Sequence, residues 1–112
     1  TAGVLSGKTV SSIASGNYGV CAIASDNNAY CWGLNDRGEL GNGTWADSYV
    51  PTAVSTSGVL SGKTIHSMYI NYTQSCAIAS DNNAYCWGEN AYGQLGNGNT
   101  TPSNIPVSIS IP

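Results

Sequence analysis

The sequence predicts an all-β chain made of two copies of one four-stranded unit. Three observations carry this reading. The segment Cys21-Ala-Ile-Ala-Ser-Asp-Asn-Asn-Ala-Tyr-Cys-Trp-Gly33 recurs unchanged from Cys76 to Gly88. The repetition extends over the whole chain: residues 3–57 align with 58–112 without a gap, and 30 of the 55 aligned positions are identical. No window keeps a helical period over three turns, whereas short apolar or alternating runs bounded by Gly, Asn and Pro recur four times in each copy.

The elements follow in order. After a Ser-Gly-Lys turn, Thr9 to Ile13 alternates apolar and polar residues, as does Thr64 to Met68 in the second copy. Val20 to Ala24 and Ala29 to Trp32 read as the arms of a β-hairpin, with Asp26, Asn27 and Asn28 as the turn, because Asx residues tolerate left-handed backbone angles. Each arm carries a cysteine. A two-residue turn at Asp26 and Asn27 would set Cys21 and Cys31 on opposite faces. A three-residue loop, Asp26 to Asn28, or a bulge would set them on the same face. The expected bridges are Cys21–Cys31 and Cys76–Cys86, one in each hairpin. Gly33 to Tyr49 is rich in Gly and Asn and reads as an ordered loop. Val50 to Val54 and Ile105 to Ile109 supply the fourth strand, whose Pro51 or Pro106 suits an edge position. The expected units are 1–57 and 58–112. Four strands per unit at this period mark the blade of a β-propeller.

Composition narrows the function. The chain of 112 residues has three cations against six acids, for a net charge of −3. Three scattered cations do not neutralise a run of phosphates, so nucleic acid is not an expected partner. No apolar run reaches the 18 residues of a membrane span. The N-terminus shows no charged-then-apolar leader, as expected of a mature or excerpted chain. The four cysteines lie ten residues apart in pairs, which fits no zinc knuckle and fits disulfides in an oxidising compartment. With solubility supplied by Ser, Thr and Asn, the expected location is extracellular or at a cell surface.

The strings Gly-Val-Cys-Ala-Ile, Ala-Tyr-Cys-Trp-Gly-x-Asn-x-x-Gly-x-Leu-Gly-Asn-Gly and Val-Pro resemble the repeat of the regulator of chromosome condensation family. The second copy, Trp87-Gly88-Glu89-Asn90-Ala91-Tyr92-Gly93-Gln94-Leu95-Gly96, is the closer match; the first has Glu39 where the family carries glutamine. The resemblance implies blades of a β-propeller, a ring usually closed by seven. It also implies protein recognition through loops on one face of a rigid ring.

Among the marked residues, Trp32 and Trp87 end a strand before a glycine, where an indole would fill the wedge between blades. Trp45 lies in the long loop, with Thr100 as its counterpart, and is a candidate contact residue. Tyr49, Tyr69 and Tyr72, from segments that differ between the copies, join it. Gly38, Gly41, Gly43, Gly93, Gly96 and Gly98 lack the following helix and lysine of a phosphate loop and suit left-handed turns and close backbone approach. His66 is the only histidine, and its counterpart is Ser11. No nucleophile has a base beside it, so no catalytic residue is assigned and an enzyme is not expected. Asp36, Glu39 and Asp47 form an acidic loop without a calcium-loop pattern, so no metal or other cofactor is expected. Asn42, Asn71 and Asn99 begin Asn-x-Thr sequons, which permit glycosylation.

The function expected from these features is a non-catalytic scaffold or protein-binding module. The rivals are a structural surface or filament protein and a carbohydrate-binding module resting on Trp45 and the loop Asn and Asp residues. Two blades leave an apolar flank open at each end, so copies of the chain are expected to join head to tail. Three or four chains would then close rings of six or eight blades; a contact that fails to close would give a fibre.

Overall fold

A computed structural model of the chain describes residues 3–16, 19–71, 74–90 and 101–109. Eight strands form two antiparallel sheets of four, each in sequence order. The first holds β1 (Val10–Ser15), β2 (Gly19–Ala24), β3 (Ala29–Gly33) and β4 (Ser48–Ala53). The second holds β5 (Ile65–Asn71), β6 (Gln74–Ala79), β7 (Ala84–Gly88) and β8 (Ser103–Ser108). All four strands expected in each copy are present. The first runs on to Ser15 or Asn71, beyond the expected ends, and β4 begins two residues before Val50. Pro51 and Pro106 lie on edge strands, as their missing N–H requires.

The hairpin turn sits one residue earlier than its Asx content suggests. Ala24 N–H donates to Asn28 O, and Asn27 N–H donates back to Ala24 O at 2.9 Å. The loop is therefore Ser25 to Asn27, with Asn27 at φ 64°. Asp26 caps the turn by accepting from the Asn28 backbone N–H at 3.0 Å and from Tyr30 Oη at 2.5 Å. Three loop residues keep the parity even, so Cys21 pairs directly with Cys31 across the strands. The second copy repeats this with Asn82 at φ 65° and Cys76 opposite Cys86. Both disulfides are formed, each across a Cα–Cα distance of 4.0 Å.

The two sheets stack face to face, with β5 against β1 and β2. Cys21, Ile23, Ala29 and Cys31 form the covered face of the first sheet. Ile65, Met68, Ala77, Ala79, Tyr85 and Trp87 form the facing side of the second. Leu40, Val54 and Leu60 close the same core. A smaller cluster of Leu5, Ala24 and Tyr30 lies on the far side of the first sheet.

Candidate recognition surface and the joint that holds it

The long loop after β3 is held by a buried amide. Asn35 is fully buried; its Nδ2 donates to Thr44 O at 2.8 Å and Ala46 O at 3.0 Å, and its Oδ1 accepts from Leu40 N–H at 2.9 Å. Asp47 accepts from Asn35 N–H at 2.7 Å, tying the end of the loop to its start. Asn90, also fully buried, repeats the motif with an Nδ2 bond to Thr101 O at 2.9 Å. The Asn of Trp-Gly-x-Asn is thus a loop-folding residue. Sequence reasoning gave it no role, although its identity in both copies was the available signal.

So folded, the loop locks one blade to the next. Glu39 O accepts from Trp87 Nε1 at 2.8 Å and from Ser75 Oγ at 2.9 Å. Gly43 N–H donates to Asn104 O at 2.8 Å, and Ile65 N–H donates to Asn27 O at 2.8 Å. The approach is too close for a side chain at Gly41, where a Cβ would stand 2.6 Å from Trp87 Nε1. The expected glycine role, left-handed turns and close approach between blades, holds at Gly38 (φ 82°) and Gly41 (φ 66°). Arg37 Nε lies 3.5 Å from Glu89 Oε2 across the joint, a half-exposed pair contributing about 0–1 kcal/mol.

Glu39 also places its carboxyl in this joint. Oε1 accepts from Arg37 N–H at 2.7 Å, while Oε2 is buried without a partner in the described structure. Burial, assisted by Asp36 and Asp47, holds this carboxyl above its ordinary range against the opposing pull of the backbone N–H bonds. A carboxyl with a raised folded pKa penalises folding fully above that pKa, and the penalty vanishes below the unfolded value of about 4.3. Glu39→Gln, the residue of the second copy, is therefore expected to raise stability at neutral pH by about 1 kcal/mol. At pH 4 the gain should disappear; urea melts at the two pH values measure it. The turn carboxylates have the opposite sign. Burial raises Asp26, but the Tyr30 and Asn28 hydrogen bonds and Lys8 lower it net; Asp81 is lowered chiefly by Tyr85. Their stabilisation is lost as pH falls through those depressed values.

The described candidate contact residues lie on three different elements. Trp45 is 48 % exposed in the loop, and Tyr49 is 93 % exposed on β4, the edge strand. Exposed Val50 adjoins Tyr49 in sequence, and its counterpart Ile105 packs beside Gly43 on the neighbouring blade. Tyr69, 58 % exposed, lies on β5 at the opposite edge of its sheet. Tyr72 and Asn99 fall outside the described residues, as does the side chain of Asn71. Asn42 is half-buried, its Oδ1 accepting from Thr44 N–H and Oγ1 in an Asx turn. In the first copy Asn35, Asn42 and Asp47, loop groups that a sugar ligand would need, are engaged within the loop or with Thr52 on β4. Among the described residues no three His, Cys, Asp or Glu side chains converge as metal ligands, and no helix is long and apolar enough to cross a membrane.

Two four-stranded antiparallel sheets stacked face to face, the first clamped to the second by a Gly-rich loop, are consecutive blades of a β-propeller. The chain belongs to the regulator of chromosome condensation (RCC1) repeat family. One family profile matches residues 26–69 and 81–112, and a second matches 10–39 and 66–94. The chain is similar to the ultraviolet-B receptor UVR8 of Arabidopsis thaliana, 29 % identical over 95 % of this chain and 23 % of the plant protein. It is 33 % identical to the RCC2 homolog of Xenopus laevis over 97 % of this chain and 21 % of that one. Human E3 ubiquitin-protein ligase HERC2 is 31 % identical over 96 % of this chain but only 2 % of its own length. Among solved structures, human WBSCR16 superposes with a TM-score of 0.81 at 22 % identity, covering 91 % of this chain and 25 % of that protein. Yeast RCC1 (Prp20), solved bound to Kap60, gives 0.73 at 22 % identity with the same coverage. The chain thus spans a quarter or less of the length of these proteins.

Proposed function

We propose that this chain is a non-catalytic propeller module that binds another protein through the loop and edge strand carrying Trp45 and Tyr49, in an oxidising, extracellular setting. One contrast supports it above all. The joint residues are mostly identical between the copies and buried, whereas the exposed aromatics are not repeated: Trp45 stands against Thr100, Tyr49 against Asn104, and Tyr69 against Ala14. The blade constrains the first set and leaves the second free to face a partner. Trp and Tyr are the side chains that dominate protein interfaces. The structure of yeast RCC1 with Kap60 is a protein complex of a related fold, which supports a protein as the ligand class. The two disulfides support the compartment.

The test is capture of proteins from the medium of the source organism on immobilised chain, with Trp45→Ala and Tyr49→Ala compared to the wild type. Both substitutions are expected to shift stability by no more than about 0.5 kcal/mol. Each should weaken retention of the same captured protein. Equal retention by all three chains would remove this surface from the function, and a large stability loss from Trp45→Ala would make it a packing residue.

A further inference from the structure

We infer that the outer edge of each blade is closed to strand addition by a four-residue segment, so that a protein meeting this rim engages its side chains and does not extend the sheet. β4 and β8 are edge strands. An edge ordinarily offers a row of unpaired N–H and C=O groups on which another strand can pair. The segments Ser48-Tyr49-Val50-Pro51 and Ser103-Asn104-Ile105-Pro106 interrupt that row, and they do so alike in both copies. Val50 and Ile105, 64 % and 40 % exposed, are strand-forming residues that would favour pairing if their backbone were free.

The first interruption is a bulge. Gly33 pairs with Ser48 and Cys31 with Thr52, so Tyr49, Val50 and Pro51 stand opposite Trp32 alone. Gly88 pairs with Ser103 and Cys86 with Val107, which leaves Asn104, Ile105 and Pro106 opposite Trp87. Extra residues of this kind bend the strand and break its ladder. The second is a side chain bonded to the bulge. Ser48 Oγ donates to Val50 O at 2.7 Å and accepts from Val50 N–H at 3.3 Å. Ser103 Oγ does the same for Ile105 at the same distances. Both backbone groups of the central residue are thereby taken. The third is the proline. Beyond the bulge, Val54 N–H donates to Ala29 O and Ile109 N–H to Ala84 O. Backbone direction alternates along a strand, so Pro51 and Ala53, like Pro106 and Ser108, face away from the sheet. Proline has no N–H to offer, and only Ala53 or Ser108 remains as an outward donor past the bulge. One donor without its neighbour two residues away does not start a ladder. On β8 the Asn104 carbonyl is also engaged, accepting from Gly43 N–H at 2.8 Å. Proline was expected at an edge from its chemistry alone; the serine two residues before the bonded Val or Ile completes the closure.

Amide hydrogen exchange, read residue by residue by NMR over a concentration series, tests the closure. In the wild type the Val50 and Ile105 amides are expected to exchange about tenfold more slowly than those of Ala53 and Ser108, as one hydrogen bond allows. The Ala53 and Ser108 amides should stay fast at every concentration. The double variants Ser48→Ala/Pro51→Val and Ser103→Ala/Pro106→Val restore a donor at the proline position and free the residue before it. In them the amide of Ala53 or Ser108 should slow by about tenfold or more as concentration rises, because the opened edge pairs with another copy. Ser48→Ala alone keeps both prolines and should lose only the protection of Val50, which keeps the test readable if a proline replacement disturbs folding. Three results would each overturn the inference: wild-type Ala53 or Ser108 amides that slow with concentration, Val50 and Ile105 amides as fast as theirs, or folded double variants whose edge amides stay fast throughout. Retention of a partner by Trp45 and Tyr49 is a separate measurement, and neither result decides the other.

Discussion

Trp87→Ala is expected to destabilise the chain by about 3–5 kcal/mol, the range for deleting a large buried aromatic. Its indole is fully buried between the sheets, and its Nε1 donates to Glu39 O at 2.8 Å. Removing it opens a cavity at the joint and withdraws the hydrogen bond that seats the Gly38–Gly41 loop. Small domains have only about 5–15 kcal/mol in total, so the variant should sit near the edge of folding. Trp32→Ala is the matched control, because the same side chain at the equivalent position is only half-buried. At dilutions where the chain is monomeric it should cost about 1 kcal/mol. Urea denaturation of both variants, read as midpoints at constant slope, gives the comparison. Equal losses would mean that the stack of the two sheets is not where stability resides.

Those two tryptophans also mark the limit of what the sequence discloses. Residues 29–33 and 84–88 are identical and form equivalent strands, so local pattern assigned both correctly to strand ends. Their burial differs because one has a blade stacked on it and the other does not, and no local pattern carries that information. The expected strands, glycine roles and cysteine pairing were legible because each rests on residue type and spacing repeated twice. The turn was misplaced by one residue because three consecutive Asx residues all favour it; hydrogen bonding, with Asn27 in the left-handed region, chose Ser25 to Asn27. The acceptor at the heart of the joint, Glu39 O, is a backbone atom and is not disclosed by its side-chain letter. The proposed contact surface was least legible. Exposed aromatics are visible in a sequence, but the elements that carry them are set by the fold: Trp45 sits in the loop after β3, Tyr49 on β4 and Tyr69 on β5.

Replacing Cys21 and Cys31 together by alanine is expected to cost more than replacing Cys76 and Cys86, although the two bridges close loops of the same length. Each spans a sequence separation of 10. In the chain-entropy description such a loop contributes about 2–3 kcal/mol, and that part must be equal for both. The difference is packing. Cys21 and Cys31 are 1 % and 0 % exposed within the core between the sheets, touching the cluster that holds Trp87. Cys76, by contrast, is half-buried on the face that has no sheet above it. Deleting sulfur from the closed site leaves a void the rigid joint fills poorly, adding about 1 kcal/mol; at the second bridge Cys86 is as buried, at 1 %, and only the Cys76 side opens to water, so the difference rests on that one residue. Denaturation of the two double variants, at dilutions that keep each chain monomeric, isolates that packing contribution because the entropic one cancels. A larger loss from the Cys76–Cys86 pair would show that the outer face is packed in solution as tightly as the joint, and would refute the assignment of Cys21–Cys31 as the bridge on which the blade stack depends.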